Sequence, residues 1–510
     1  MMEGQGHQPV EQAGVPGKAA GVGAEVGGVR SSKEEGEVYL GELSTEVRAL
    51  LKALSRDSAC SHASPRNEGK GDGSGQTEII TPDKIRKLQR TLYRKAKAEP
   101  KYRFWSLYGD IIRPDVLEYA LRVVSRNGGA PGVDGQIIAG INGSAEGRQR
   151  WLIQLQEELK NHDYRPQPAR RVMIPKSNGG QRPLGIPTVK DRVVQMAATL
   201  VLMPIFEADF HPRSYGFRPR RNAHQAIDEI VRAMRSGRCE VLDADLSKYF
   251  DTIPHGRLLQ LVARRVSDGS VLRLIKQWLR APVVEEDKAG KRRVIPNRCG
   301  TPRGGVISPM LANLYLNGLD WEINERKGQG AVMVRYADDF VVLSPKGRTE
   351  GLRQWLRSWL TEQQLKLNEE KTRVVDREEG FNFLGFRVRW QNSRRSGRGY
   401  AHVEPAAKSQ AGLRDKVRAL LNHWTLGQRI EDITYRVNRL LRGWSGYFHY
   451  RHSSRVFGKL RWWVNGRMRR WLWRKHACRR GLWKHYTDSV LHQRYGLWAL
   501  PTTAGHTLMK

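Results

Sequence analysis

Cysteine, acidic residues and long apolar runs are all scarce in this chain of 510 residues. The four cysteines lie far apart, which excludes a disulfide framework and a Cys-x-x-Cys zinc site and fits a reducing, cytosolic setting. No apolar run reaches the roughly 18 residues of a membrane span, and no secretory signal pattern opens the chain. Lys and Arg number 88 against 52 Asp and Glu, a net charge of +36. This surplus makes nucleic acid the first partner to consider.

The charge is unevenly distributed along the chain. Residues 1–78 carry 8 basic and 12 acidic side chains within Gly- and Ser-rich sequence, which predicts a largely disordered, slightly acidic extension. Residues 441–510 carry 15 basic side chains and a single acid, Asp488, together with seven of the 15 tryptophans. The length corresponds to about three domains.

The residues between these ends predict a mixed α+β fold. Helical patterns over 150–161, 190–208 and 222–236 alternate with a strand-like segment at 169–175, without regular βαβ repetition. Thr81-Pro82 predicts a helix start with Pro at the first helical position. A helix over 102–127 is predicted to end at Asn127-Gly128.

The clearest chemical signal is an acidic pair between two apolar, strand-forming runs. Val334–Leu343 places Asp338 and Asp339 where a tight hairpin would turn. Adjacent carboxylates repel each other, and a bound Mg²⁺ with its preference for oxygen ligands would relieve that repulsion. The alternative is an ordinary polar turn.

A second acidic cluster begins just after another predicted strand. Asp243 and Asp245 are two residues apart and would share one face of a strand. Two-metal phosphoryl transfer uses carboxylates from separate segments to hold two cations about 4 Å apart. The two clusters together therefore favour a metal site more strongly than either does alone.

Two further segments have the composition of phosphate or nucleotide contacts. A Gly-rich loop, 300–307, leads into a helix at Ser308-Pro309, but its spacing excludes a Walker A phosphate loop. Residues 174–187 predict a hairpin that turns at Asn178-Gly179-Gly180. Lys176 and Arg182 would lie on its opposite arms and could hold a polyphosphate, although a solvated basic hairpin is an equal alternative.

In this order and spacing, the motifs resemble the reverse transcriptases of mobile group II introns, the intron-encoded maturase family. The resemblance rests on Tyr336-Ala337-Asp338-Asp339, Gly-Thr-Pro-x-Gly-Gly-Val-x-Ser-Pro from Gly300, and the block from Asp245 to Asp251. It also rests on the Pro-Gly-Val-Asp-Gly loop at 131–135, the 174–187 hairpin and the blocks at 367–372 and 383–386. It covers about 100–480 of the chain.

This resemblance implies a right-hand-like fingers/palm reverse transcriptase fold followed by an α-helical thumb/maturase domain. The expected domains are N-terminal helices and fingers at 79–240, a palm at 241–395 and the thumb/maturase domain at 396–480. A short basic tail at 481–510 would follow, and no zinc-dependent nuclease domain is expected.

The resemblance also implies roles for individual residues. The metal site would hold two Mg²⁺ ions, with Mn²⁺ as an alternative, and is assigned Asp245, Leu246, Asp338 and Asp339. Lys371 would donate a proton to the leaving pyrophosphate. The nucleotide site is assigned the residues Lys176, Arg182, Phe250, Arg303 and Gly304. Phe250 would be the gate against the ribose 2′-hydroxyl, and the family usually has Gln where this chain has Arg303. Phe383, Leu384 and Gly385 would turn the primer strand toward the site.

Residues 405–500 predict amphipathic helices followed by dense Arg and Trp. Basic side chains bind phosphates and aromatic faces stack on unpaired bases, which suits folded RNA. The alternative is a plain helical bundle with core Trp, and we expect a combination of the two. The predicted RNA contacts are Arg442, Trp444, Arg455, Lys459, Arg461, Arg467 and Arg470.

The expected function is RNA-directed DNA polymerisation combined with assistance to intron splicing and retrohoming. The partners would be group II intron RNA, a DNA primer or target and deoxynucleoside triphosphates, without a membrane, in a cytoplasmic bacterial ribonucleoprotein. A splicing-only maturase and a domesticated reverse transcriptase in phage defence are the alternatives. The oligomeric state, monomer or homodimer, stays open.

Overall fold

The computed structural model describes residues 81–175, 181–286, 291–302, 304–325, 330–477 and 481–505, without the side chains of Pro175 and Arg182. The predictions for residues 1–78 therefore lie outside the described residues. No helix within the described ranges combines the length and the apolar character that a membrane crossing requires.

The chain is α+β, as predicted. Its helices are α1 Asp83–Ala98, α2 Tyr108–Ile111, α3 Pro114–Asn127, α4 Ile138–Ile141, α5 Ala145–Lys160, α6 Val189–Glu207, α7 Ala223–Arg235, α8 Tyr249–Thr252, α9 His255–Ala263, α10 Gly269–Arg280, α11 Ser308–Glu325, α12 Thr349–Glu362, α13 Ala407–Leu420, α14 Ile430–Phe448, α15 Ser454–Lys475 and α16 Leu482–His485. The strands are β1 Ala169–Pro175, β2 Gln181–Ile186, β3 Glu240–Ala244, β4 Val283–Glu286, β5 Arg292–Ile295, β6 Val332–Tyr336, β7 Asp339–Ser344, β8 Arg373–Asp376, β9 Phe381–Phe383, β10 Phe386–Asn392 and β11 Gly399–Pro405.

The strands of the described residues form three sheets. The first has the order β2-β1-β4-β5, in which β1 and β4 run parallel and the other pairs antiparallel. The second has the order β6-β7-β3-β8 and is antiparallel throughout. The third, β11-β10-β9, follows it directly in the chain. The second sheet carries the predicted acidic clusters, and we call it the palm sheet.

Helix α6 lies at the centre of the largest apolar core. Of its 19 residues, 17 are buried, and the helix packs against α1 and α3. A helix that is apolar around its whole circumference has to be covered on all sides, and these neighbours provide the cover. The core therefore joins the N-terminal helices to the elements that carry the site.

Two predicted helix boundaries differ from the structure. The helix predicted over 102–127 is split, because Pro114 starts α3 at its first position and Arg113 is extended. The predicted end is confirmed, since Gly128 adopts a left-handed φ of 54° after Asn127. At the N-terminus, Pro82 precedes the helix rather than opening it, and the hydroxyl of Thr81 bonds that of Tyr119, 2.9 Å away, instead of capping.

A separate apolar core lies within residues 407–500, which we call the helical unit. The amphipathic helices predicted within 405–500 are present as α13, α14 and α15, and Leu413, Val417, Ile433, Val437 and Leu441 are buried in this core. The domain limits expected from the sequence stay predictions. The limit at 396 falls inside the β10–β11 hairpin, and the segment expected as a tail contributes buried side chains, among them Leu491, Leu497 and Leu500.

One helix offers a matched test of this core. Phe457 and Trp462 both lie on α15, but Phe457 is 0% exposed whereas Trp462 is 70% exposed. We expect Phe457→Ala to lower the free energy of unfolding by about 3–5 kcal/mol through lost packing and a cavity. Trp462→Ala should change it by about 0.5 kcal/mol or less. Denaturant titration followed by circular dichroism measures both, and equal losses would contradict the assigned orientation of α15.

Candidate active site

The acidic pair lies at a two-residue turn, as predicted. The register of β6 and β7 pairs Tyr336 with Asp339, which leaves only Ala337 and Asp338 between the strands. Ala337 adopts a φ of 60°, the left-handed value that two-residue hairpins require at their first position. A residue with a Cβ atom is strained there by about 1 kcal/mol, so the surroundings have to hold the turn.

The buried side chain of Arg335 holds the turn in this conformation. The Arg335 side chain is 0% exposed and donates from Nη1 to the carbonyl of Ala337 and to Asn313 Oδ1, both at 2.8 Å. Its Nε and Nη2 both donate to the Asp320 carboxylate, with Nε 2.8 Å from Oδ1. Burial lowers the pKa of Arg335, but the paired Asp320 more than offsets this and raises it. The guanidinium therefore stays charged and ties the turn to helix α11.

A glycine allows the chain to pass directly beneath the turn. A Cβ atom on Gly216 would lie 2.4 Å from the backbone nitrogen of Ala337, so no larger residue fits without displacing the hairpin. The amide nitrogen of Asn313 bonds the carbonyl of Gly216 at 2.7 Å. Asn313 thus holds this segment and the Arg335 side chain at the same time.

Asp245 reaches the site from the end of β3, and the segment 367–372 fixes it. The backbone nitrogen of Asn368 donates to the Asp245 carbonyl at 2.8 Å. The Asp245 carboxylate accepts from Asn368 Nδ2 at 3.0 Å and from Lys371 Nζ at 2.9 Å through the same oxygen, Oδ2. The neighbouring Leu246 is buried and pairs with Leu367, so its carbonyl is the only metal ligand it could offer.

The carboxylates on these segments repel one another. Asp339 is open to solvent yet surrounded by many protein atoms, and its pKa rises to about 7. Reduced hydration is the largest cause, followed by the charges of Asp338, Asp245 and Asp243. Burial also raises the pKa of Asp243, although Arg373, 3.5 Å away, opposes the shift. We call these four side chains the carboxylate cluster.

The carboxylate cluster has the donor chemistry that Mg²⁺ prefers, because carboxylate oxygens are hard ligands and their mutual repulsion is relieved by a cation. Among the described residues, however, no three His, Cys, Asp or Glu side chains are arranged as a metal-holding group. Asp245 instead has a cationic partner from the protein, since Lys371 Nζ lies 2.9 Å from its Oδ2. Lys371 is 66% exposed, and such a contact contributes little energy, so a cation can displace it.

The predicted gate and the Gly-rich loop are adjacent. Phe250 lies in α8, and its carbonyl accepts from the backbone nitrogen of Thr301 at 2.7 Å. The hydroxyl of Tyr249 donates to the carbonyl of Ala312 at 2.6 Å, which ties α8 to α11. A Cβ atom on Gly304 would lie 2.1 Å from the carbonyl oxygen of Gly185 on β2. The loop therefore lies directly against the strand that carries Arg182.

Some predicted nucleotide contacts cannot be placed. Lys176 and Arg303 lie outside the described residues, as does the turn at 178–180. The backbone of Arg182 pairs with Ile174 in the predicted β1–β2 hairpin, but its side chain is also outside the described set.

The predicted primer segment forms another two-residue turn. Leu384 and Gly385 connect β9 and β10 with φ values of 49° and 81°. Phe383 is 3% exposed and belongs to the core beneath the palm sheet, so its ring is not available to a primer. The primer role of this segment stays a prediction, and Leu384 and Gly385 are its half-buried residues.

The predicted RNA contacts on the helical unit fall into two groups. Trp444 is partly buried between the rings of Phe448 and Phe457, 4.6 and 5.1 Å away between centroids, so we reassign it to the core. Arg461 and Arg467 are half-buried, and Arg467 donates to the carbonyl of Leu421 at 3.1 Å. The remaining predicted contacts are exposed, namely Arg442, Arg455, Lys459 and Arg470.

The sequence reasoning missed the exposed tryptophans of this unit. Trp424, Trp462 and Trp483 are 84%, 70% and 55% exposed. The signal was present for Trp462, because the buried positions Leu460 and Val464 place residue 462 on the opposite side of α15. We use the name Arg/Trp face for these seven exposed side chains of the helical unit, of which Arg455, Lys459, Trp462 and Arg470 lie on one side of α15.

Comparisons with known proteins agree with this arrangement. Residues 174–388 match the family model described as reverse transcriptase (RNA-dependent DNA polymerase). Residues 410–488 match the group II intron maturase-specific domain. The fold and site thus define a reverse transcriptase domain followed by a maturase domain.

Similarity to individual proteins narrows the class from reverse transcriptases in general to those encoded by group II introns. Protein YkfC of Escherichia coli is 36% identical over 353 residues, which cover 61% of this chain and 90% of that protein. The group II intron-encoded protein LtrA of Lactococcus lactis is 29% identical over 388 residues, 62% of this chain and 63% of that protein. A putative COX1/OXI3 intron 1 protein of Saccharomyces cerevisiae is 27% identical over 321 residues, 52% of this chain and 37% of that protein. The chain belongs to the group II intron reverse transcriptase/maturase family.

The raised pKa of Asp339 has a testable consequence for stability without metal. Its folded-state pKa of about 7 lies above the unfolded value, so the folded state binds the extra proton between the two. This group therefore reduces stability as the pH rises from about 4 to about 7. We expect Asp339→Asn to raise the melting temperature in EDTA near pH 8 and to change it far less near pH 5.

Thermal melts at both pH values measure this difference. The matched control is Asp163→Asn, an exposed acid outside the carboxylate cluster, which should show no such pH-dependent gain. The same gain for Asp339→Asn at both pH values would contradict the assigned repulsion.

Proposed function

We propose that this protein is an active RNA-directed DNA polymerase whose helical unit also binds group II intron RNA as a maturase. The observation that carries the proposal is the carboxylate cluster. A strained turn, a buried guanidinium and a closely packed glycine fix the backbone of Asp338 and Asp339, and the charges of Asp338, Asp245 and Asp243 all act on Asp339. Like charges held together lower the stability of the fold. Metal-dependent phosphoryl transfer uses this arrangement, because the carboxylates bind the cations.

Asp245, Asp338 and Asp339 would hold two Mg²⁺ ions, with Mn²⁺ as an alternative. When bound, the ions would lower the pKa of the primer 3′-hydroxyl and neutralise charge on the leaving pyrophosphate. The chain itself positions these carboxylates through Arg335 and Asn368. Displaced from Asp245, the exposed Lys371 ammonium would be free to donate a proton to pyrophosphate.

The nucleotide would lie between α8 and the Gly-rich loop. The backbone of Phe250 is fixed by the bond from Thr301, and its ring packs edge-on against Tyr249, where it would exclude a ribose 2′-hydroxyl. The close contact of Gly304 with β2 brings the loop to the hairpin of Lys176 and Arg182, which we assign to the triphosphate. Arg303 belongs to the same loop and is assigned to the template side of the nucleotide.

The helical unit would bind intron RNA through the Arg/Trp face. Its exposed basic side chains can bind phosphates, and its exposed rings can stack on unpaired bases. The maturase-domain match at 410–488 covers most of this surface. Intron RNA, a DNA primer or target and deoxynucleoside triphosphates are therefore the proposed partners, and the bacterial relatives favour a cytoplasmic ribonucleoprotein.

Removing one carboxylate tests the polymerase. We expect Asp338→Asn to reduce cDNA synthesis on a primed RNA template by more than about 100-fold, because bound metal supplies several kcal/mol of transition-state stabilisation. Intron RNA affinity, measured by filter binding, should stay within about 2-fold of wild type, since Asp338 lies outside the Arg/Trp face. Full cDNA synthesis by the variant would refute the proposed site.

Removing one ring tests the maturase surface. We expect Trp462→Ala to weaken intron RNA binding by about 10-fold, the effect of losing one stacked base. Extension of a short primer on a synthetic template should be nearly unchanged. The control is Trp105→Ala, since Trp105 is 71% exposed but lies outside the helical unit. Equal losses of RNA affinity in both variants would contradict the assigned surface.

A further inference from the structure

The turn at Leu384 and Gly385 is bound by the helical unit as well as by its own sheet. The Leu384 carbonyl accepts a hydrogen bond from the hydroxyl of Tyr447 at 2.9 Å. The Gly385 carbonyl accepts from the hydroxyl of Ser409 at 2.8 Å and from the backbone nitrogen of Ala406 at 2.9 Å. Both carbonyls of the turn are therefore bound by groups that follow it in the chain, and two of the three donors are side-chain hydroxyls.

The turn needs such support because its backbone is strained. Leu384 has a φ of 49°, which is uncommon for a residue with a branched side chain. Its partner in the turn, Gly385, is packed so closely that a Cβ atom would lie 3.1 Å from Ser409 Oγ and 3.2 Å from the Phe448 ring. Backbone strain of this kind persists only where the surroundings hold it.

Tyr447 is in turn fixed by helix α7, which packs against strand β6 of the palm sheet. The His224 side chain, on α7, donates from Nε2 to the Tyr447 carbonyl at 2.8 Å and stacks on its ring at 5.3 Å between centroids. A few residues along, Tyr450 and Arg451 both donate to the Asp228 carboxylate of α7, with Arg451 Nε 2.9 Å away. Asp228 is 1% exposed, so these are buried bonds. The Tyr447 hydroxyl consequently has little freedom to move relative to the palm sheet.

We propose that Tyr447 and Ser409 are positioning residues that set where the primer 3′ end lies relative to the carboxylate cluster. The proposal rests on the proposed polymerase function and on the assignment of Leu384 and Gly385 to the primer. Neither hydroxyl touches the reacting atoms. Both act by fixing a strained turn, so the helical unit takes part in polymerisation in addition to binding RNA.

The test removes the hydroxyls and keeps the packing. Tyr447→Phe retains the ring that stacks on His224, and Ser409→Ala removes only an oxygen. Each lost hydrogen bond should lower the rate constant of single-nucleotide addition by about 5-fold, and the double variant by about 10-fold or more. The KM values for the nucleotide and for the primer–template should stay within about 2-fold of wild type, because neither hydroxyl binds substrate.

Pre-steady-state bursts separate positioning from mere destabilisation. If the hydroxyls position the primer, the burst rate constant falls while the burst amplitude, which counts active molecules, stays the same. If they only stabilise the fold, the amplitude falls and the rate constant does not, which would overturn the proposal. Ser409→Thr keeps a hydroxyl and should restore most of the rate lost in Ser409→Ala.

Two controls keep the outcomes distinct. Tyr435→Phe removes a hydroxyl from the same helix at a residue that is 67% exposed, and it should leave the burst unchanged. A wild-type chain without polymerase activity would overturn the proposed function and this inference together. An active wild type with an unaffected double variant would overturn the positioning role alone.

Discussion

The buried guanidinium of Arg335 is the constraint on which the rest of the site depends. It joins three parts of the chain that are distant in sequence: helix α11 through Asp320, the turn through Ala337, and the 213–216 segment through Asn313. A buried charge is very unfavourable unless it is paired and its donors are satisfied, and here its Nε, Nη1 and Nη2 nitrogens all bond. The same bonds that satisfy Arg335 hold a strained turn against the repulsion between carboxylates. Stability of the core and geometry of the site are thus provided by one set of contacts.

The parts of the site that are local in sequence could be predicted, whereas the long-range contacts could not. The β6–β7 hairpin follows from two apolar runs around a two-residue gap, and the β1–β2 pairing follows from Asn-Gly-Gly between strands. In contrast, the pairing of Asp320 with Arg335 depends on how α11 crosses the palm sheet, which no local pattern encodes. Composition alone assigns Trp444 to RNA, whereas helical phase favours Trp462. Composition shows that rings are present, but phase shows which way they face.

Lys371 gives the carboxylate cluster an internal counter-ion. By bonding Asp245 it neutralises one acid of the carboxylate cluster in the absence of metal, and its charge also lowers the pKa of Asp339. Because the lysine is exposed and held by one weak ion pair, exchanging it for a cation costs little. Its flexible stem keeps the ammonium group near the site after it leaves Asp245. A single side chain thereby serves the metal-free protein and remains within reach of the chemistry.

Strand β11 is the structural link between the palm and the helical unit. It pairs with β10 over seven residues, and α13 begins at Ala407, two residues after β11 ends at Pro405. The two halves of the protein are therefore joined by sheet rather than by a flexible tether, and Asp228 closes a second connection through Arg451. Paired strands leave a protease no exposed connector between residues 399 and 407. The chain from the palm to the helical unit should therefore unfold cooperatively. A force applied to the helical unit would accordingly act directly on the β9–β11 sheet.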